Sequence, residues 1–518
     1  MSESPLGQVW LVETLGLDCM LPTTRSYCGQ YARRTFVDDG ITTEKYGPSY
    51  KPDDSTVGHL KFSLKNEPLD MAILAATFAV VDPTEIEAWV RAEPNGAYSR
   101  RAWFLYEWFT GKMLDVPNAS NLSYVDALDS DLNVGSAPVA SQRHRVRDNM
   151  LGVPGFCLTV RKTDTVERFR AAEVDRKARE LMSECDPGLL ARAVSYLFTK
   201  ETKSSFEIER EEATGQKAER FVAALRNAAA FDPTKKEDLI ALQNVIVDER
   251  YRDRDFRTNQ NFVGQTVGPG YEKIHFISPR PEDINGLMAD WAKMSVRLKG
   301  TPDAVVAAAA IAFAFVFLHP FEDGNGRIHR FLVHHILSRE GFTPPDMLFP
   351  VSAAIVRDER GYEEALNTFS KPLLERIDWR WVNNGRIEVS GQTDRLYRYF
   401  DATGVVDFLA NKVEETVEHD LKDELVYVAV FDQAFRVVTE IVDMPNRRAS
   451  LLISLCLQNH GTLSKRKREL FPELTDHEIA SIGEAVQKAM RDNTPGESAS
   501  SENSEPTPAP KALGDFRG

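Results

Sequence analysis

The chain is predicted to be mainly α, with one small β-hairpin set into a helical core and accessory regions on either side. Three features carry this expectation. Ala304–Leu318 is an unbroken run of fifteen apolar residues. A bilayer span needs about 20 such residues, so the run reads as a helix that is hydrophobic all round because it is buried at the centre of an α domain. Apolar residues recur at helical spacing through residues 166–226 and again through 302–381. Between these stretches, Lys273-Ile274-His275-Phe276-Ile277 alternates polar and apolar after a Gly268-Pro269-Gly270 turn, the pattern of a hairpin.

A length of 518 residues suggests about three domains at ~150 residues each, and 42% hydrophobic content supplies sizeable cores. A formal charge of -15 and a pI near 5.3 argue against a non-specific nucleic-acid binder. Cys19, Cys28, Cys157, Cys185 and Cys456 are scattered and odd in number, which suits reduced thiols. No basic-then-apolar leader opens the sequence and no stretch is long enough for a span. A soluble, cytoplasmic protein with no membrane partner is expected.

Residues 1–160 mix short apolar runs with turn formers, including Gly47-Pro48 and the polar segment 51–56, and read as an N-terminal accessory domain. A helix is expected over 98–110, whose aromatic group Trp103, Phe104, Tyr106, Trp108 and Phe109 reads as core. Residues 118–149, rich in Asn, Ser, Asp and Val, read as connecting structure. A central domain follows over 165–390.

The chemistry is concentrated in residues 319–330, His-Pro-Phe-Glu-Asp-Gly-Asn-Gly-Arg-Ile-His-Arg. Gly324 and Gly326 let the backbone approach an anion closely and take up φ > 0, so that successive N–H groups form a concave nest. A helix starting near Arg327 aims its free N–H groups and positive dipole end at the same anion. Arg327 and Arg330, three apart, share a helix face and can grip neighbouring phosphates. Arginine is misplaced in a first helical turn unless an anion is expected there. His319 is the side chain suited to take a hydroxyl proton near neutrality. Asp323 offers a hard oxygen for Mg2+, which commonly binds through one or two carboxylates and substrate phosphates. Phe321 is expected to anchor the loop in the core, and Gly341 with Pro344-Pro345 to end the following helix. His329, His334 and His335 are spaced unlike helical zinc ligands and read as satisfied helix histidines.

Those twelve residues resemble the signature of the Fic family, H-P-F-x-D/E-G-N-G-R-x-x-R, at every fixed position. The resemblance implies a Fic-fold helical core. It implies transfer of AMP from ATP onto a protein hydroxyl, with His319 as general base and Asp323 as Mg2+ ligand. By the same resemblance Gly324, Asn325 and Gly326 form the anion nest, Arg327 and Arg330 grip the triphosphate, and Tyr362 lies against the nucleobase.

Upstream, near 201–212, Ser205 and Glu209 resemble the two defining positions of the family's inhibitory helix motif, [S/T]-x-x-x-E-[G/N]. A carboxylate presented to Arg330 would form a charge-assisted pair and occupy the γ-phosphate position. Arg210 departs from the pattern, which has Gly or Asn there. The other reading of this stretch is a solvated acidic helix. Near 261–279, Arg257-Thr258, Val263-Gly264 and the strand Ile274, His275, Phe276, Ile277 resemble the family's flap, whose free edge would hold a target segment by backbone hydrogen bonds. A strand serving the core alone is the alternative.

Residues 393–490 read as a C-terminal helical domain, winged-helix-like in its spacing. An apolar-periodic helix ends at Gly461, and Thr475 with Glu478 forms a capping box. The basic run Lys465–Arg468 between helices admits DNA contact, or is a solvated helix end. Residues 491–518 have the composition of a disordered tail.

The expected function is therefore protein adenylyltransferase, a nucleotidyltransferase using MgATP and restrained by Glu209. The expected partners are a nucleotide and a protein bearing a Ser, Thr or Tyr hydroxyl, with a homodimer also admitted. UMP transfer, phosphocholine transfer, removal of AMP, and a DNA-binding regulator with a vestigial site remain open.

Overall fold

The computed structural model describes residues 3–38, 40–268, 271–382 and 385–493. Met1–Lys422 and Asp423–Gly518 form two compact units.

The first unit begins with a sheet in which Thr24–Cys28 pairs in parallel with Ile41–Tyr46, itself antiparallel to Arg34–Asp38. Helices Thr56–Asn66, Met71–Val80, Pro83–Ala92 and Ala97–Thr110 follow. Each of the middle two starts on an aspartate, Asp70 or Asp82, whose side chain accepts first-turn N–H groups. Trp103, Phe104 and Tyr106 are buried in the core of these helices, with Trp108 and Phe109 packed against it, as expected. Residues 118–149, expected to be irregular, contain a three-stranded sheet of Val125–Asp126, Val146–Asp148 and Val139–Ser141. Strands of two and three residues are too short to show a period of two.

The helical core carries the site. Its elements are α1 (Pro187–Ile208), α2 (Gly215–Arg226), α3 (Lys236–Ile246), β1 (Phe262–Gly268), β2 (Tyr271–Ile277), α4 (Pro281–Arg297), α5 (Ala304–Leu318), α6 (Asn325–Arg339), α7 (Val351–Val356) and α8 (Glu359–Leu374). Every residue of α5 except Ala304 and Val316 is buried, as an all-apolar helix requires. Asp303 caps it by accepting from Val306 N–H, and Trp291 on α4 donates to the Ile311 carbonyl at 3.0 Å. A left-handed residue ends it, His319 at φ 48°.

Strands β1 and β2 pair antiparallel from Phe262 opposite Ile277 to Gly268 opposite Tyr271, with irregularities at Val263/Gly264 and Thr266/Gly268. Pro269 and Gly270 of the expected turn lie outside the described residues. Beyond α8, Trp379–Val382 and Arg386–Val389 form a second hairpin, and Trp381 packs edge-on against Phe262 of β1. Tyr399–Asp401 then runs parallel to Phe156–Thr159, and the helix Thr403–Glu415 packs along α5.

In the second unit, helices Asn446–Leu457 and Asp476–Asn493 share a core of Leu452, Ile453, Cys456, Ile482 and Val486. Thr475 and Glu478 cap each other's backbone N–H groups reciprocally, and Gly461 has φ 82°. No strand occurs among the described residues from 423 on, so the expected wing is not among them; no stretch there alternates apolar and polar. The basic run is itself the four-residue helix Lys465–Arg468, in which Arg468 donates to the Phe471 and Leu474 carbonyls. The tail beyond Asn493 lies outside the described residues.

Candidate active site

Helix α5, the turn 319–324 and helix α6 bring the signature residues together. Gly324 has φ 91° and precedes α6, which starts at Asn325. No side chain of the preceding residue caps that helix. Asn325 does not face outward: it accepts from Phe321 N–H at 3.0 Å and donates to the Phe321 carbonyl at 2.8 Å, closing the loop from within. Phe321 is fully buried, against Phe256 and Phe315.

His319 is half-buried. Its Nδ1 lies 3.1 Å from the Val316 carbonyl. A carbonyl only accepts, so Nδ1 carries the proton and Nε2 keeps its lone pair. Burial, aided by the charge of Arg257, pushes the imidazole down to about 4, leaving it neutral at pH 7. Arg257 clamps this corner: its Nε donates to the His319 carbonyl and its backbone N–H to that of Pro320, both at 2.8 Å.

Both loop arginines are almost fully buried, at 1% for Arg327 and 2% for Arg330, and both are already paired. Arg330 Nε donates to Ser205 Oγ at 2.9 Å, and Nη2 donates to the Ser205 carbonyl at 2.6 Å and to Glu209 Oε1 at 2.8 Å. That carboxylate also covers the nest, since a Cβ built on Gly326 would collide with Glu209 Oε1. Burial alone would raise the Glu209 carboxyl, but the charge and hydrogen bond of Arg330 outweigh it and hold it below its ordinary range. Arg327 Nη1 donates to Glu211 Oε2 and Nη2 to Asp323 Oδ1, each at 2.8 Å.

The end of α1 explains how Glu209 reaches this position. Glu211 N–H bonds to the Phe206 carbonyl and Arg210 N–H to that of Glu207, a Schellman cap with Glu209 as its C-cap. The residue after the C-cap must be left-handed, and Arg210 has φ 57°. The Gly or Asn of the inhibitory pattern matches this demand; here a bulky residue meets it at a conformational cost.

The remaining expected residues are placed as follows. Asp323 is 44% exposed, and Gly324 N–H and Arg327 both use its Oδ1. It suits one hard-oxygen position of a divalent cation. Among the described residues no three metal-ligating side chains converge, so phosphate and water would have to complete that shell. Tyr362, expected against a nucleobase, is instead buried near His329, Phe313 and Phe408, because α8 packs its apolar face inward. Ile274, Phe276 and Ile277 are buried, Phe276 near Phe317 and Phe369, while His275 is partly exposed. Tyr397 donates to the Ile277 carbonyl at 2.7 Å, so that end of the β2 edge is taken. His334 lies 2.8 Å from Glu201, and His335 Nδ1 2.7 Å from the Ala228 carbonyl.

Sequence reasoning missed Gln243, Asp253, Arg257 as a clamp, and Glu211. The signal for Gln243 was present: it is the single amide on an otherwise apolar face with Leu239, Leu242 and Ile246.

The fold and site define an anion-binding loop presented by a pair of buried helices. Residues 233–337 match the Fic/DOC family, and the chain carries a Fic domain. Protein adenylyltransferase Fic of Drosophila willistoni is 34% identical over 90 residues, 17% of this chain and 16% of that protein. The protein of the same name from Nematostella vectensis is 35% identical over 118 residues, 22% of each chain. The matches thus span less than a quarter of the length of these relatives. A solved Fic family protein from Desulfovibrio desulfuricans G20 is 16% identical with a TM-score of 0.37, covering 64% of this chain and 88% of that one.

Among the described residues no helix is long and apolar enough to cross a membrane.

Proposed function

We propose that this protein transfers AMP from MgATP to a hydroxyl side chain of a protein and is restrained by Glu209. One observation carries the reading: Ser205 and Glu209 on α1 occupy Arg330 while the Glu209 carboxylate lies over the Gly326 nest, where an anion is expected. A carboxylate imitates a phosphate in charge and in its fit to guanidinium. A triphosphate would have to displace it or bind misaligned.

With Glu209 withdrawn, Arg330, Arg327 and the first N–H groups of α6 become free to hold phosphate oxygens and stabilise the charge that builds there. His319 Nε2 takes the proton of the target hydroxyl, whose oxygen bonds to the α-phosphorus as the bond to the β-phosphate oxygen breaks and pyrophosphate leaves. Asp323 would hold Mg2+, which neutralises phosphate charge and orients the triphosphate. The β1–β2 flap, with Arg257 joining it to His319, would present the target segment beside the base. Five free cysteines accord with a reducing, cytoplasmic setting.

The test is incorporation from α-phosphate-labelled ATP with Mg2+ into the protein itself and into lysate proteins. Wild type, Glu209→Gly, and Glu209→Gly with His319→Ala are compared. Label should rise in the single variant and vanish in the double. No label in any folded form removes the adenylylation reading and turns attention to UMP or phosphocholine donors.

A further inference from the structure

We infer that Gln243 and Asp253 are positioning residues that brace the active-site loop from beneath; the reaction they serve rests on the adenylylation reading above. Gln243 lies on α3, distant in sequence from the loop, and is 0% exposed. Its two Nε2–H groups are shared among three acceptors, the Tyr251 carbonyl at 3.1 Å, Asp253 Oδ2 at 3.2 Å and the Asp323 carbonyl at 3.3 Å. Its Oε1 accepts from Asp253 N–H at 3.1 Å. Three acceptors on one side and one donor on the other fix the amide's orientation without ambiguity.

Asp253 completes the brace by accepting from Glu322 N–H at 3.2 Å. The backbone is thus held on both sides of the Glu322–Asp323 peptide, one N–H through Asp253 and one carbonyl through Gln243. The next residue, Gly324, begins the nest, and a Cβ there would lie 3.8 Å from Gln243 Cγ and 3.1 Å from Val247 Cγ1, so the stem of Gln243 and the end of α3 also form its floor.

The brace touches the arginines only through the Asp323–Arg327 pair. Arg327 and Arg330 ride on α6 and keep their place without it, so phosphate attraction in the ground state survives its loss. What the brace sets is the direction of the Asp323 carboxylate and of the first nest N–H groups. Errors of about 1 Å there cost alignment, and therefore turnover, before they cost binding. A residue needed only for folding would lower stability and leave kcat per folded molecule unchanged.

The experiment uses the full chain carrying Glu209→Gly, with Gln243→Glu alone and with Gln243→Glu plus Asp253→Asn. A glutamate at 243 keeps the shape, still accepts from the residue-253 N–H, and opposes the Asp253 carboxylate. Asn at 253 removes the opposing charge and, with its amide oxygen in the place of Oδ2, still accepts from Glu322 N–H. Measured are amide deuterium exchange of a peptide containing residues 321–326, kcat and KM for ATP in label incorporation, and the melting temperature. Gln243→Glu should raise exchange in that peptide and lower kcat at least tenfold with KM changed less than threefold. The double exchange should recover several-fold of the lost kcat. Unchanged loop exchange overturns the brace, and raised exchange with unchanged kcat overturns its positioning role. If the Glu209→Gly parent incorporates no label, the adenylylation reading fails, and the exchange measurement alone decides the brace.

Discussion

Glu211 stands with Oε2 2.8 Å from Nη1 of Arg327, so a second carboxylate from the same segment holds the second loop arginine while Glu209 holds the first. Glu211 also accepts from Lys217 Nζ at 2.6 Å and is 36% exposed, so its pair is partly screened and worth about 0.5–1 kcal/mol. Glu211→Gln should change labelling little while Glu209 remains in place. Added to Glu209→Gly, it should raise label incorporation a further two- to fivefold. An unchanged or lower rate in the double variant would show that Arg327 is not held back by this pair.

Arg210 provides a test of opposite sign. Its φ of 57° is required by the Schellman cap, and the side chain is exposed. Arg210→Gly removes the left-handed penalty and should stabilise the end of α1 by about 1 kcal/mol. A firmer cap keeps Glu209 on Arg330 for more of the time, so basal labelling should fall by up to about fivefold as the urea midpoint of the first unit rises. A rise in labelling would mean that Arg210 supports the restraint by a route other than backbone geometry.

Particular residues show what the sequence could disclose. The apolar run of α5, the signature loop and the Thr475–Glu478 cap were legible because each rests on local chemistry: periodicity, glycine freedom, reciprocal N–H capping. Ser205 and Glu209 were legible through their spacing from one another, yet Arg210 hid the cap, since side-chain identity suggests conformation only statistically. Asn325 was expected in the anion nest, and no local pattern disclosed that its side chain is also an internal strut for Phe321. Tyr362 went inward because α8 has to bury an apolar face, a choice set by packing. Gln243 joins residues 80 positions apart, and no local pattern encodes that distance.

The acid limb of activity should lie unusually low. Burial pushes His319 down to about 4, so its neutral, proton-accepting form persists well below the ordinary imidazole value and is lost only as pH falls through that point. In the Glu209→Gly variant, kcat/KM should stay level from pH 8 to about 5 and then drop, where an unperturbed histidine would already be half protonated near 6.5. Wild type should not be relieved by the same mild acid. The Glu209 carboxyl is held below its ordinary range, so the charge that pairs with Arg330 is present above that range and lost only on passing beneath it. A limb centred near 6.5 would remove the desolvated-base assignment.

Glu201 anchors α1 one turn before Ser205, on the same face against α6, and its loss should release the restraint without touching the site. It is 0% exposed, accepts from Ser352 N–H at 2.8 Å and from Ser352 Oγ at 2.5 Å, and lies 2.8 Å from His334 Nε2 on α6. Burial pushes its carboxyl up, but His334 and the Ser352 bonds prevail and hold it down, ionised at neutrality. Glu201→Leu would strand a buried Ser352 N–H and hydroxyl without an acceptor and should cost about 2–4 kcal/mol. Glu201→Gln keeps one acceptor oxygen and should cost less. Because Ser205 and Glu209 ride on this helix, both variants should raise basal labelling in the same order in which they lower the urea midpoint. The second anchor of α1, Lys200 Nζ to Asp420 Oδ1 at 2.6 Å, remains in both. Lost stability with unchanged labelling would therefore show that Glu201 serves the fold without serving the restraint.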